Sequence, residues 1–503
     1  MVLAVLLSAC APPAEQSLPS PLIGAPTKVR RWAFVLLDID GGGNPINKDN
    51  AQSVLFSPDR PDSIRSYFRE VSYGVQDLEG QVFGPLPYQM GGRCDTDRLA
   101  KALMPQIEGT FDQYLWFFGT QQAACNWAGV ADLGRADRPT KNSWYNSFHS
   151  CTVLVQEPGH NFGMVHSSAM RCTAAGQPVP IAWPEMAGAD CRHIEYGNPF
   201  DPMGGGDCFH MNGVQKAYQG WLSGCNVVKA TESGTFTIHP LESACDGPQL
   251  LQIPFPQSRP FSNAGNLTGY YLELRAPVGY RDRKLPPQVL VTVANDVRAA
   301  RFTGNPNWLL DMTPETAKLG DEALPVGKPF QDALPGGPRF TLVSVDANKA
   351  VIEVELGGKP AMAGQAGKGA CEDGADYQAA APVKCVAPPT PMAPAPDGGL
   401  PPPPDAQTEP HPTGPDAGMS KPPTTSDAGA TVEPPDEPPP TTGTPKGSAG
   451  GCSLARGESR ASGLALLALL LAFGRQVRPR IKAARASSTD RRPSCRRRRS
   501  ASR

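Results

Sequence analysis

The chain has 503 residues, of which 40% are hydrophobic, and its formal net charge is −1. This length allows two to three domains, and the hydrophobic content is enough to bury a large core. The near-neutral charge balance argues against a nucleic-acid-binding surface. No CxxC sequence occurs, so a cysteine zinc site or a thioredoxin-like redox centre has little support.

Residues 1–10 are an apolar segment that ends in the letters LSAC at Cys10. These four letters resemble the lipobox of bacterial lipoproteins, in which the cysteine is acylated and becomes the first residue of the mature chain. The resemblance implies export and membrane association through a lipidated Cys10, with a plain cleaved signal peptide as the alternative. Residues 11–29 would then form a short leader.

Between residues 30 and 229 strand and helix patterns alternate, which predicts a mixed α+β domain. A continuous apolar run closed by glycines predicts a buried strand, and apolar residues at helical spacing predict a helix. Before residue 150, the predicted strands lie in 31–41, 77–87, 113–120 and 125–134, and the predicted helices lie in 61–74 and 96–111, the latter interrupted at Pro105. The strand in 125–134 resembles, by its place in the chain, the strand that borders the cleft of zincin-type metallopeptidases, which implies that its edge is offered to an extended peptide.

From residue 230 to residue 357 the pattern changes to short alternating runs separated by turns, with no long helix between them. This pattern predicts a small all-β domain, a sandwich or a barrel. The predicted strands lie in 234–241, 250–255, 269–277, 288–294, 340–346 and 350–356. No catalytic cluster is visible in this segment.

Residues 358–451 are rich in Pro, Ala and Thr and almost lack aromatic residues, which predicts a disordered, extended spacer. Folded structure is therefore expected to end near residue 356. Residues 452–503 contain a Gly-Cys-Ser sequence at Cys452, a short apolar run over 461–474 and a basic end. This arrangement resembles the MYXO-CTERM type of bacterial C-terminal sorting tail, which implies a second means of membrane association.

The chain has thirteen cysteines, and ten remain when Cys10, Cys452 and Cys495 are set aside. An even number in an exported chain predicts up to five disulfides, although the sequence leaves their pairing open. The expected location is the outer membrane or cell surface of a bacterium, or the medium after secretion.

The stretch QEPGHNFGMVH, from Gln156 to His166, carries the candidate chemistry. On a helix, Gln156 and His160 lie one turn apart on one face, where they can bind one metal ion, while Glu157 can act on its water molecule. Gly163 then lets the chain leave the helix sharply and brings His166 round as a third ligand. A helix that merely carries two histidines is the alternative, but the spacing ExxHxxGxxH is rare by chance.

The motif departs from an ordinary zinc helix at two positions, Gln156 and Pro158. Proline has no backbone N–H and crowds the preceding turn, so the helix is expected either to begin late, near Val155, or to bend. His149 and His210 are candidates to replace the missing imidazole, but neither occupies a motif position.

Met203 lies 37 residues after His166 in the sequence DPMG, where metzincins have a tight turn whose methionine packs beneath the metal. Together with SIRSYFREVSYG, CNWAGVADLG and QEPGHNFGMVHS, in this order over about residues 30–225, it resembles the gametolysin-like metallopeptidases. The resemblance implies a metzincin fold, secretion and cleavage of extracellular proteins, with Gly163 and Met203 as structural support of the site. It also implies that Gln is tolerated at the first ligand position, because members of this family carry it.

We therefore predict a zinc-dependent endopeptidase that acts on extracellular proteins or peptides, with Glu157 as general base and Gln156, His160 and His166 as metal ligands. An amide oxygen is a weaker donor than imidazole, so we expect weaker metal binding or a changed preference, copper or another divalent metal included. One alternative is a catalytically lapsed metzincin-fold protein with a cell-surface binding or adhesion role. Another is a hydrolase of a different bond.

Overall fold

The computed structural model describes residues 28–261, 266–296, 306–316 and 320–388. These residues form a mixture of helices and strands in which strands predominate, so the predicted α+β class is confirmed. Cys10, the predicted C-terminal tail 452–503 and the greater part of the predicted spacer lie outside the described residues.

A five-stranded sheet forms the centre of the N-terminal part. Its strands are Lys28–Ile39 (β1), Gln76–Tyr88 (β2), Gln113–Phe118 (β3), Gly129–Ala131 (β4) and Asn142–Tyr145 (β5). They lie in the order β2-β1-β3-β5-β4, with all neighbours parallel except β4, which runs antiparallel to β5. Helices cover both faces of such a sheet, which explains why β1 and β3 are continuous apolar runs rather than alternating ones. The predicted edge position of β4 is confirmed.

Helices pack on the two faces of this sheet. Within the described residues the α-helices are Lys48–Phe56 (α1), Ile64–Val71 (α2), Thr96–Leu103 (α3), Cys151–Asn161 (α4) and Gly213–Gln219 (α5). Phe68 of α2 and Leu154 of α4 pack into one core with Phe34, whereas Leu99 of α3 packs into a second core on the opposite face. A 3-10 turn over Met104–Gln106 follows α3, where the sequence predicted an interruption at Pro105. Successive side chains of β1 face opposite sides of the sheet and are buried on both, and one of these two sets shares its core with α4.

Two larger sheets make up the rest. The nine-stranded sheet contains Ser167–Ala174 (β6), Gln177–Val179 (β7), Asp190–Ile194 (β8), Val227–Glu232 (β9), Leu250–Pro260 (β12), Asn266–Arg275 (β13), Gln288–Ala294 (β14), Asn307–Leu310 (β15) and Lys368–Cys371 (β19). The four-stranded sheet contains Gly234–Ile238 (β10), Phe330–Gln331 (β16), Arg339–Val345 (β17) and Ala350–Glu355 (β18), and Ala244–Cys245 (β11) pairs with Cys385–Val386 (β20). Apolar side chains of both large sheets, among them Tyr270 and Phe340 with ring centroids 5.6 Å apart, share one core.

The predicted boundary between residues 229 and 230 is wrong, because it falls inside β9. The nine-stranded sheet also joins the two predicted domains, since β15 pairs in parallel with β6 and Trp308 aligns with Ser168. Backbone N–H and C=O groups at a buried strand edge must find partners, and here they find them in the other half of the chain. The segments 30–229 and 230–357 are therefore parts of one unit.

The predicted end of the folded part near residue 356 is also wrong, because β19 and β20 lie beyond it. Two disulfides tie these strands back, Cys225–Cys371 and Cys245–Cys385. A composition poor in aromatic residues can still be ordered when cross-links reduce the entropy of the unfolded chain. The predicted number of disulfides is confirmed, the other three being Cys94–Cys125, Cys151–Cys208 and Cys172–Cys191.

Candidate metal centre

Helix α4 carries the first part of the motif. It begins at Cys151, before the start near Val155 that is one of the two alternatives predicted from the sequence. The side chain of Ser150 caps it by accepting a hydrogen bond from the backbone N–H of Val153, and the helix continues to Asn161 with Pro158 inside it. The prediction of a late start near Val155 is therefore wrong. Gln156 lies in the second turn after the cap, inside regular helix, which determines the direction in which its side chain leaves the helix.

The chain reverses direction directly after α4 and returns to the same site. Gly163 has a φ of +88°, and a Cβ atom there would lie 2.5 Å from the Cα of Arg135, so only glycine fits this turn. The turn brings His166 back beside His160, with their ring centroids 4.8 Å apart. Two of the predicted ligands are thus neighbours in space.

Each of the two imidazoles has one nitrogen in a hydrogen bond and the other without a hydrogen-bond partner among the described residues. The Nδ1 atom of His160 lies 2.9 Å from the carbonyl oxygen of Met164, and the Nδ1 atom of His166 lies 2.8 Å from Oε1 of Glu195. Both partners are acceptors, so each Nδ1 carries the proton and each Nε2 keeps a lone pair. Both Nε2 atoms are buried, and neither has a hydrogen-bond partner among the described residues.

Burial keeps both rings neutral. It lowers the pKa of His160 to about 3, with an added contribution from the neighbouring His166. It lowers the pKa of His166 to about 4, with an added contribution from His193. The neutral imidazole is the form that binds metals, so the electrostatics suit a metal site at neutral pH.

Gln156 completes the candidate ligand set from the same helix. Its side chain is 3% exposed, and its Nε2 atom has no hydrogen-bond partner within the part of the chain that the structure describes. Gln156 lies one helical turn before His160 on the same face of α4, so its amide, whose oxygen is the atom able to bind a metal, is on the same side of the helix as that imidazole. Three protein ligands of N and O type fit a catalytic zinc ion.

Glu157 lies on the side of α4 that faces the edge strand β4. It is fully buried, and a Cβ atom placed at Gly129 of β4 would lie 2.6 Å from its Oε1 atom. The carboxylate therefore occupies the space that any other side chain at position 129 would take. The side chain of the predicted general base therefore lies against β4.

Met203 packs directly beneath α4. A Cβ atom at Gly159 would lie 2.5 Å from the sulfur of Met203, so the glycine allows the methionine to approach the helix backbone. The carboxylate of Asp201 holds this turn by accepting from the N–H of Met203 at 2.7 Å and from the hydroxyl of Ser167 at 2.8 Å. Since Ser167 directly follows His166, the methionine turn and the third candidate ligand share one hydrogen-bond network.

Arg275 of β13 holds the same turn from the other part of the chain. Its guanidinium donates to the carbonyl oxygen of Phe200 at 2.9 Å and to that of His210 at 3.1 Å. It therefore binds the backbone before and after Met203. The guanidinium is fully buried, and three carboxylates pair with it: Glu242, Glu273 and Asp282. These charges hold the pKa of Arg275 above its usual range despite burial.

We expect Arg275→Met to lower the free energy of unfolding by about 3–5 kcal/mol, because it leaves three buried carboxylates without their cation. Urea unfolding of the full chain measures this difference. Lys328→Met is the matched control, since Lys328 forms an exposed pair with Glu315, and such pairs contribute about 0–1 kcal/mol. Equal losses in both variants would show that Arg275 is not a structural clamp.

The two other histidines considered from the sequence lie apart from the ligand set. His149 is exposed and precedes the cap of α4, with its ring against Phe117. His210 is fully buried, but both of its ring nitrogens are engaged, Nδ1 with Lys216 Nζ at 2.8 Å and Nε2 with Glu70 Oε1 at 3.2 Å. Neither takes the position of the missing imidazole.

Sequence reasoning missed Gly129, Gly159, Glu195 and Tyr196, whose ring lies 3.9 Å from that of His166. The signal at Gly159 was available, because a glycine inside a helix is unfavourable by about 1 kcal/mol and marks close packing. Glu195 gave no signal, since it is an exposed acid in a turn 29 residues after its partner.

In comparisons with known proteins, no family model and no curated protein matches the chain. No helix within the described ranges is both long and apolar enough to cross a membrane. No group of three or more His, Cys, Asp and Glu side chains in those ranges is placed to hold a metal ion. The candidate set here contains only two such residues, His160 and His166, because its third member is the amide of Gln156.

Proposed function

We propose that this protein is an exported, metal-dependent endopeptidase with a metzincin-type catalytic centre. The observation that carries the proposal is the pair of neutral imidazoles, His160 and His166, whose buried Nε2 atoms lack partners among the described residues beside the amide of Gln156. Close packing of Met203 beneath the same helix supports the metzincin type. The five disulfides are consistent with export.

In this proposal, Gln156 holds zinc through its amide oxygen and the two histidines hold it through Nε2. When bound, zinc supplies a Lewis acid that polarises the peptide carbonyl and lowers the pKa of a water molecule. Glu157 accepts the proton of that water at a carboxylate oxygen and then delivers a proton to the leaving amine nitrogen. Burial of Glu157 beside β4 keeps bulk water from competing for this proton.

The strand β4 offers a way to align the substrate. It is the last strand of its sheet, and β5 is its partner on one side. The three residues of β4 are buried, so an extended peptide would first have to displace what covers this edge and would then form backbone hydrogen bonds there, beside Glu157. Such binding recognises the backbone of the substrate rather than its side chains, which suits an endopeptidase that acts on extracellular proteins or peptides.

The rival function is a cell-surface binding or adhesion protein that keeps the fold after losing catalysis. Gln156 is the observation in its favour, because an amide cannot gain basicity from an outer hydrogen bond as imidazole does. The membrane attachments proposed at Cys10 and in the tail 452–503 would serve either function. Cleavage by the purified protein therefore decides between them.

The test is cleavage of casein or gelatin by the full chain. The proposal expects cleavage that a chelator stops and that added zinc, copper or another divalent ion restores. A metal-loaded, folded protein that leaves these substrates and a random peptide library intact would overturn the proposal and favour the binding role.

We expect Gly129→Ala to reduce kcat of the folded protein strongly, by about 10- to 100-fold, and to lower its stability as well. The new methyl group would lie 2.6 Å from Oε1, 2.8 Å from Cγ and 2.9 Å from Cδ of the buried Glu157, so the carboxylate has to leave its place. Measuring kcat together with the urea midpoint separates the two effects. A variant that keeps full kcat would contradict the assigned place of the Glu157 carboxylate.

A further inference from the structure

The two candidate histidine ligands differ in the group that holds the far side of the ring. His160 donates from Nδ1 to a neutral backbone carbonyl, that of Met164. His166 donates to a carboxylate, that of Glu195, at 2.8 Å. A carboxylate draws the Nδ1 proton more strongly than a carbonyl and so makes Nε2 the better electron donor.

The fold determines this pairing through one antiparallel ladder. His166 immediately precedes β6, and Glu195 immediately follows β8. The two strands pair with Ala169 opposite Ile194, so the start of β6 and the end of β8 lie at the same end of the ladder. The register of β6 and β8 therefore places the carboxylate of Glu195 beside the imidazole of His166.

The turn at Glu195 and Tyr196 is shaped to keep this contact. Tyr196 has a φ of +59°, a left-handed conformation that is unfavourable for a residue with a side chain and that concentrates at functional sites. Its ring lies against that of His166 with centroids 3.9 Å apart. The Glu195 side chain is 61% exposed while that of His166 is 7% exposed, so the imidazole is fixed from the solvent side.

We propose that Glu195 is a positioning residue for the metal, and that its hydrogen bond to His166 offsets the weak donor Gln156. The proposal rests on the proposed metal site. An amide at the first ligand position leaves the ion short of electron density, and Glu195 restores part of it through the third ligand. Loss of Glu195 therefore weakens metal binding most when position 156 carries the amide.

The test measures zinc Kd of the full chain by competition with a chromophoric chelator in four proteins: wild type, Glu195→Gln, Gln156→His and the double variant. We expect Glu195→Gln to weaken zinc binding about 10- to 100-fold in the wild-type background and clearly less in the Gln156→His background. Glu185→Gln, a change at an exposed acid in the preceding loop, is the matched control and should leave Kd unchanged.

Two further measurements separate an effect of Glu195 on the geometry of the metal site from an effect on folding stability. The urea midpoint of the metal-free Glu195→Gln protein should equal that of wild type, and the visible spectrum of its cobalt(II) form should shift, whereas that of Glu185→Gln should not. If wild type binds zinc and Glu195→Gln binds it equally well, this inference fails while the proposed function stands. If wild type binds neither zinc nor cobalt(II), both fail.

Discussion

A chain that ends at residue 229 is expected not to fold, although the sequence pattern places a domain boundary there. Truncation leaves β6 without β15, its parallel neighbour on one side. It also removes the groups that satisfy buried polar atoms: Lys216 Nζ donates to the carbonyl oxygen of Leu241, and the backbone N–H of His210 donates to Asp282. Burial already lowers the pKa of Lys216 to about 7, so this amine depends on its partners.

The size of the lost stabilisation decides whether the shorter chain folds. Leaving a buried charge without its partner costs about 3–5 kcal/mol, and a whole domain is stable by about 5–15 kcal/mol. Glu70 would lose two of its partners as well, the N–H groups of Tyr280 and Arg281 at 2.9 Å, and would keep only the ring of His210 among those described here. Two or three such losses, about 6–15 kcal/mol together, are therefore as large as the stability of a whole domain.

Urea unfolding followed by circular dichroism measures this effect. The chain ending at residue 229 should show no cooperative transition, whereas the chain ending at residue 388 should unfold like the full protein. A sigmoidal transition in the shorter chain would mean that the N-terminal part is an independent domain. The pairing through the nine-stranded sheet would then contribute little to the free energy of unfolding.

Glu157→Gln is expected to lower kcat by about 10²–10⁴-fold, with metal content and fold preserved. The amide has nearly the same shape as the carboxylate, so it fits against Gly129, but it cannot take a proton from water. Because Glu157 is not one of the candidate ligands, zinc affinity should stay close to that of wild type. The loss should therefore appear in kcat much more than in KM.

The control for this substitution is Glu185→Gln, which changes an exposed acid outside the site. It should cleave casein at the wild-type rate. Equal rates for wild type and Glu157→Gln at the same zinc occupancy would contradict the role of Glu157 as general base, and the source of the proton transfer would have to be another group.

Local patterns in the sequence predicted the elements around the site well. The apolar runs gave β1 and β3, and helical spacing gave α2. Such signals are local, because a strand or helix buries a face that recurs along its own residues. The motif itself also predicted that His160 and His166 would lie close together.

Contacts between distant segments could not be predicted in the same way. The β15–β6 pairing, the Arg275 clamp and the Glu195–His166 hydrogen bond each join residues far apart in sequence. A buried arginine looks like any surface arginine in a sequence, since its burial depends on three carboxylates supplied by other turns and strands. The domain boundary was misplaced for the same reason.

The most direct measurement titrates zinc into the metal-free full chain and follows zinc occupancy and casein cleavage in the same samples. The proposed site predicts about one zinc ion per chain and cleavage that rises in proportion to it, with both lost in the His160→Ala/His166→Ala variant. Zinc that binds the double variant as tightly as wild type, or cleavage that does not follow occupancy, would contradict a catalytic metal held by Gln156, His160 and His166.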